Sequence, residues 1–595
     1  MKSLHDRTQS LIRRLPLCLP LCLPFLLPSL GTGRLAAQGE ADLVAPTGIE
    51  AMSWDRFHDY KAVIELMQAM QKRWPQYISL APIGKSVQGR TLWVMTVNDP
   101  KTGKDTDKPA MYVDANIHGN EVQGTEAALY MVWYLLRFAP RVPRLQKILS
   151  DRVFYIVPSV NPDGRDYWFH EANTASSSRG GQTPVDNDGD GLFDEDPPND
   201  LDGDGNITMM RKKVPMGEGR FRLDPTDPRI MIRVGPGEKG DYDILGSEGI
   251  DDDGDGRINE DGPGGYDPNR DWGSDWQPAW IQWGARPLPF SLPESRAVRD
   301  FLIAHPNVAG VQAYHNMGGM ILRGPGSKHV HYAAGDKSAY DIVGRKGEEL
   351  IPFYRYLVIW DDLYTVHGGF VDWTYMGLGI LSFTNELWTR TRLDQGRREL
   401  DRNAATRLAG DLSFDSHLVP WKEYDHPLYG KVEIGGTVKS SGRIPPSFLI
   451  QEMLHRNSAF VLYQTEELPE VQVHKTTVTP AGADLFYVDV ILENPRVTPT
   501  RTAQAAQHHI GRPDLLIAAG DGCRVLSASR FRDDYRKNQG TPLPKEIRPD
   551  RIPIHEGIGS RGKLRIRYLV QGKGTLRLRY EAEKAKNRAV EIAIR

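Results

Sequence analysis

The sequence predicts an α/β fold: a mixed sheet with helices on both faces, followed by a small C-terminal β-sandwich. Three observations point there. Apolar, strand-like runs alternate with helix-period segments through most of the chain, as where "PAMYVDAN" leads into "GTEAALYMVWYLL". Such alternation builds sheets covered on both faces, with sites at the strand ends. Beyond residue 468 the pattern becomes strict alternation in "DLFYVDVILEN", "GKLRIRYLV", "GTLRLRYEAE" and "AVEIAIR", as in a small antiparallel domain. The composition is globular, 39% apolar and 25% charged with net charge −3, so no overall field favours nucleic acid or a membrane surface.

Residues 1–37 read as an export signal: a basic start, the apolar core "LPLCLPLCLPFLLPSLG" and small residues near Ala37. The expected location is secreted or periplasmic. The short core carries four prolines, which argues against a permanent membrane span. Cys18 and Cys22 leave with the signal and Cys523 stands alone, so stability must come from core size or bound metal.

A main domain is expected over residues 50–468. Val63, Leu66, Met67, Met70 and Trp74 recur at helical spacing, and "TLWVMTV" and "RVFYIVPSV" read as strands. Regular structure resumes with the helix "SLPESRAVRDFLIAH", then "VAGVQAYHN" and "GILSFTNELW", and "RNSAFVLYQTEEL" closes the domain. Between them, residues 173–268 dissolve into Gly, Pro, Asp and Ser, too long for a structureless loop unless something orders it.

Calcium is the candidate. "DNDGDGLFDED" from Asp186, "DLDGDGNIT" from Asp200 and "DDDGDGRINED" from Asp251 space carboxylates two residues apart before a glycine, as chains do around a hard cation. The candidate ligands are Asp186, Asp188, Asp190 and Asp194; Asp200, Asp202 and Asp204; and Asp251, Asp253, Asp255 and Asn259. Full EF-hands are excluded, since position twelve is Pro197 or Gly262 and helical flanks are missing. The plain alternative is a solvated acidic loop.

The chemistry-bearing residues lie at strand ends. His118 and Glu121 in "NIHGNEVQGTE" occupy a strand-to-helix turn that can aim an imidazole and a carboxylate at one point. A catalytic zinc takes three such ligands and leaves a position for water. His315, ending "VQAYH" before a glycine pair, offers the third, with His367 in "VHGGF" a weaker competitor. Glu386 in "SFTNELW" sits in apolar surroundings that suit a general base. Asn269 and Arg270 pair an amide with a guanidinium, matched to a carboxylate group.

Taken together, His118-Gly-Asn-Glu121, "NPDG", Asn269-Arg270, His315, "LYTVHGGFVDWTY" and "SFTNEL" resemble, in matching order, the zinc metallocarboxypeptidases of the carboxypeptidase A/B type. The resemblance spans about residues 50 to 468. It implies that His118, Glu121 and His315 hold zinc, that Glu386 is the base, and that Asn269 and Arg270 grip a substrate's C-terminal carboxylate. It places Tyr364 on the family's mobile tyrosine and Val371 at its side-chain specificity position. The family's arginine that polarises the scissile carbonyl falls in the swollen interval: Arg211 in "TMMRKKVP" best fits the local pattern, with Arg179 as fallback. The expected function is an exported carboxypeptidase acting on peptide or protein C-termini, with zinc catalytic and calcium bracing the insertion so as to position Arg211, Asn269 and Arg270. The same site could act on cell-wall peptides as an amidase or D-specific peptidase. A calcium-dependent binding protein with a dead peptidase domain is the other class; no ligand is lost to support it.

Overall fold

The computed structural model describes residues 53–177, 179–397, 402–531 and 540–595; the expected export signal, residues 1–37, lies outside them. The central sheet has eight strands: β1 (Ile78–Lys85), β2 (Thr91–Val97), β3 (Ala110–Ala115), β4 (Val153–Val157), β5 (Val308–Asn316), β6 (Met320–Arg323), β7 (Arg355–Val358) and β8 (Leu381–Leu387). Their order is β1-β2-β4-β3-β5-β8-β6-β7. The middle strands β4, β3, β5 and β8 run parallel; β1 and β2 pair antiparallel to their neighbours, and β6 is antiparallel to β8 but parallel to β7. Every residue of β3, β4 and β5 is buried, as continuous apolar runs in a doubly covered sheet require.

Helices α1 (Tyr60–Arg73), α2 (Gln123–Phe138), α3 (Pro143–Asp151) and α4 (Pro162–His170) precede the insertion; α5 (Pro293–Ala304), α6 (Ala334–Leu350), α7 (Phe370–Leu378), α8 (Arg402–Ser413) and α9 (Ser447–Glu466) follow it. Successive strand residues face opposite ways. Ala110, Tyr112 and Val311 meet Val298 of α5 and Phe370 of α7 on one face. On the other, α2 packs on β3 and β5, and α9 packs on α2 and α6. The helix α2 is buried nearly all round, which explains its lack of a polar face.

The insertion is not ordered by its acidic loops alone. Strands Met209–Lys213, Phe221–Leu223, Met231–Arg233 and Tyr242–Ser247 join a hairpin from much later in the chain, Leu418–His426 and Gly430–Thr437, in a six-stranded antiparallel sheet. Beyond α9, strands Gln472–Pro480, Leu485–Glu493, Lys563–Gln571, Arg524–Phe531 and Thr541–Pro542 form one sheet, and Arg551–Ile554, Asp514–Asp521, Gly574–Glu581 and Arg588–Ile594 a second. Both contribute to one apolar core, with Val488, Ile566 and Tyr568 from one and Leu516, Leu578 and Ile592 from the other. This is the expected β-domain. A five-residue helix, α10 (Ala503–Gln507), reaches from it back to α6 and α7. Among the described residues no helix is long and apolar enough to cross a membrane.

Candidate metal centre and substrate cleft

At the end of β3, Asn116 adopts a left-handed conformation (φ 59°). Its amide donates to the carbonyls of His118 and Gly119 at 2.7 and 3.0 Å and accepts from the Ser159 hydroxyl at 2.8 Å. The turn His118–Glu121 is thereby held from inside. His118, Glu121 and His315 are each 2–4% exposed. His118 Nδ1 lies 3.0 Å from Glu121 Oε1 and 3.2 Å from His315 Nδ1, which is 3.0 Å from Glu121 Oε2. Asp267 Oδ1, 2.8 Å from His118 Nε2, can accept only a hydrogen bond, so the His118 proton belongs on Nε2 and a lone pair on Nδ1 turns inward. Acceptors then face one another, a conflict that a cation resolves. Two imidazoles and a carboxylate, oriented by a further carboxylate, form a zinc-type donor set. Burial alone would raise Glu121; without a cation, only protonated His118 and His315 would hold its carboxyl well below the usual range.

Arg179 enters the same cleft. Its Nη1 donates to Glu121 Oε1 at 2.8 Å, and Nη2 lies 3.4 Å from Asp267 Oδ2. The "NPDG" turn explains its placement. Asn161 caps α4 by accepting from Gly164 N–H at 2.8 Å and donates to the Gly180 carbonyl at 2.9 Å, while Gly119 N–H donates to the Arg179 carbonyl at 3.2 Å. A Cβ on Gly180 would strike the carbonyls of Gly264 and Tyr266, and Tyr266 Oη accepts from Thr183 N–H at 3.1 Å. The two ends of the insertion therefore close on each other, one delivering Arg179 and the other Asp267, Asn269 and Arg270.

Arg211 requires a correction. It lies on the insertion sheet, 5% exposed, donating to Glu433 Oε2 at 2.6 Å, with its guanidinium 4.0 Å from the Trp421 ring centroid and 4.8 Å from that of Tyr242. Pairing of strand 209–213 with strand 430–437 draws it away from the residues lining the cleft. The local sequence pattern that favoured it is a strand pattern, which says nothing about which sheet the strand joins.

Glu386 stands opposite His315 in the parallel β5–β8 ladder. Burial, followed by the charge of Glu121, pushes its carboxyl up to about 7, against the charges of His315, Arg179 and Arg443. Arg443 was not singled out in the sequence, and comes from the segment before α9. Asp267 caps the turn Pro268–Arg270 by accepting from Asn269 N–H at 2.7 Å. Asn269 Oδ1 accepts from Phe370 N–H at 2.9 Å, at the start of α7. Arg270 is buried, with Nη2 3.6 Å from Asp267 Oδ2 and no partner on Nε. Tyr364 is 58% exposed at the cleft rim, and Val371 and Asp372 line its wall. Asp372 accepts from Tyr332 Oη at 2.6 Å and Gly326 N–H at 2.7 Å, and burial pushes it up to about 6. His367 lies outside the metal centre, its Nδ1 2.8 Å from Asp275 Oδ2.

The first and third acidic loops share one local geometry, of which the middle loop keeps the bond from its second glycine. Asp186 accepts from Gly189 and Gly191 N–H at 2.6 and 3.1 Å, Asp251 from Gly254 and Gly256 at the same distances, and Asp200 from Gly205 at 2.8 Å. The first and third loops join through an Asp196–Asp261 bridge. Of the expected ligands, Asp194 accepts from Val185 N–H, while the Asn259 amide donates to the Ser247 carbonyl and leaves its Oδ1 buried without a partner. The next two residues of each repeat, Glu195-Asp196 and Glu260-Asp261, also face inward. Asp196 and Asp261 are fully buried. Asp261 Oδ2, Glu195 Oε2 and both Glu260 carboxylate oxygens have no hydrogen-bond partner. Burial and contact with Asp196 push Glu260 up to about 7.

A mixed sheet presenting two histidines, a carboxylate and a second, buried glutamate at its strand ends defines a metal-dependent hydrolase class of site. The chain matches the zinc carboxypeptidase family over residues 63–197 and 245–404, and belongs to that family. The break between the two stretches falls inside the insertion. Residues 470–593 match a domain family of unknown function. The chain is 31% identical to mouse carboxypeptidase D over 111 residues, 19% of this chain and 8% of that protein. It is 31% identical to carboxypeptidase B of Astacus astacus over 119 residues, 20% of this chain and 37% of that one. These matches span well under two-thirds of either relative. Carboxypeptidase A from Helicoverpa armigera superposes with a TM-score of 0.42 at 16% identity, covering 71% of this chain and 77% of that one.

Proposed function

We propose that this chain is an exported zinc-dependent carboxypeptidase that removes the last residue from peptides or proteins. The observation that carries the reading is Arg270, a buried guanidinium with an unpartnered Nε, lining one cleft with His118, His315 and Glu386. A buried cation left with spare donors calls for an anion, and a substrate's terminal carboxylate fits an Asn–Arg pair. Zinc held by His118, Glu121 and His315 would supply Lewis acidity, lowering the pKa of a water towards about 7. Glu386 accepts the proton of the attacking water and passes it to the leaving amine. Arg179, rather than Arg211, donates to the carbonyl oxygen as it gains charge. Asn269 and Arg270 fix the register, Tyr364 covers the bound end, and Val371 contacts the departing side chain. Purified protein and peptides ending in a free or an amidated carboxyl test this, read by mass. Loss of single C-terminal residues, only from free ends and only with zinc restored, is expected; cleavage indifferent to amidation would overturn it.

Calcium is proposed as a brace for the insertion. The support is the set of inward carboxylate oxygens without partners, since clustered buried carboxylates repel unless a cation joins them. Because the joined loops lie between Arg179 and Asp267, the brace would position Arg179, Asp267, Asn269 and Arg270, and not Arg211.

A further inference from the structure

We propose that Asp275, His329 and His367 form a second transition-metal site at the rim of the cleft, distinct from the centre at His118. Their donor atoms all lie within 4.8 Å of one another. Asp275 Oδ1 is 2.7 Å from His329 Nε2, and Oδ2 is 2.8 Å from His367 Nδ1. The Ser327 hydroxyl donates to Oδ2 at 2.6 Å, orienting the carboxylate. The His367 backbone is fixed in turn, its N–H donating to Gln282 Oε1 at 2.9 Å. Among the described residues no lysine or arginine pairs with Asp275, so its counter-charge must come from the imidazoles or from an ion.

The arrangement meets the requirements of a metal site. Two histidines and one carboxylate suit zinc, with nickel or copper as competitors, and leave coordination positions for water. Asp275 and His367 are held by the fold, with side chains 11% and 13% exposed; His329 is 63% exposed. An ion can therefore enter from solvent, and the His329 ring can swing to the roughly 2.0–2.1 Å bond that zinc requires. The plain alternative is an aspartate clamping two histidines by hydrogen bonds alone.

The three residues come from three segments around the cleft. Asp275 follows Asn269 and Arg270, His329 follows Gly326, whose N–H holds Asp372, and His367 follows Tyr364 in the same loop. An ion here would tie the tyrosine-bearing loop to the segment carrying Arg270. The site does not depend on the peptidase reading. Full-length protein is stripped of metal, reloaded with excess zinc sulfate and desalted, and zinc is counted by mass spectrometry. The wild type should hold two zinc ions per chain, and His329→Gln and Asp275→Asn one each. His118→Ala should also hold one, and His118→Ala with His329→Gln none. A wild type that never exceeds one zinc, or a folded His329→Gln that still holds two, would overturn the site.

Discussion

Two groups of carboxylates in this molecule are kept in opposite ways. Glu121, Asp267 and Glu386 lie among His118, His315, Arg179 and Arg270, so the chain itself supplies counter-charge. Asp196 and Asp261, with Glu195 and Glu260, face mainly one another and backbone N–H groups. On the proposed reading the first group is a cage set before its metal arrives. In the second the chain supplies acceptors almost alone, so its folding would be coupled to a cation. The difference would separate a metal for chemistry from a metal for structure, and it can be tested at both ends.

The largest expected effect is at the base. Glu386→Gln keeps its shape but cannot take a proton, and turnover should fall about 10²-fold or more with zinc retained. Near-normal turnover would remove Glu386 from the mechanism. Arginine substitutions come next, and they set the cleft against the insertion sheet. Arg179→Ala should lower kcat by about 10²-fold. Arg211→Ala should leave kcat nearly unchanged and cost about 2–4 kcal/mol of stability, through its lost ion pair and ring contacts. The reverse result would restore Arg211 to the cleft.

A calcium-selective chelator should lower the melting temperature and raise KM with zinc still bound. A site saturated a hundredfold above its Kd contributes about 2.7 kcal/mol, a few degrees in a chain of this size. Asp196→Asn with Asp261→Asn should abolish the calcium response. Unchanged melting and kinetics after verified calcium removal would reduce the loops to surface decoration. The smallest effect concerns Val371. With Asp372 already engaged by Tyr332 and Gly326, peptides ending in leucine should be cleaved several-fold faster than those ending in arginine. Faster release of arginine would show that Asp372 is available to substrate.

The sequence makes the strand-end residues visible because long apolar runs mark β3, β5 and β8, and His118, His315 and Glu386 punctuate those runs. Asp267 and Arg179 are harder to see. Each sits in irregular chain, and only the Asn161 bond and the close approach at Gly180 bring them to the centre. The insertion sheet is nearly invisible: its strands between residues 209 and 247 are three to six residues long, several are half-exposed, and their partner hairpin begins at Leu418. The Asp275 cluster draws on three separate loops, and only the one carrying His367 has a motif.

The short helix of the C-terminal domain has a mechanical consequence. Ala503 and Gln504 each donate an N–H to the Asp336 carboxylate at 2.9 Å, and Thr502 Oγ1 donates to the Gly379 carbonyl at 2.9 Å, where α7 ends. Tyr375 of α7 donates to the same carboxylate at 2.8 Å. The β-sandwich is thus bolted to the back of the helix whose front carries Val371. Lys584 of the sandwich also donates to the Val308 carbonyl at 2.7 Å, where β5 begins, so strain in the sandwich reaches the wall of the cleft and the central sheet by separate bonds.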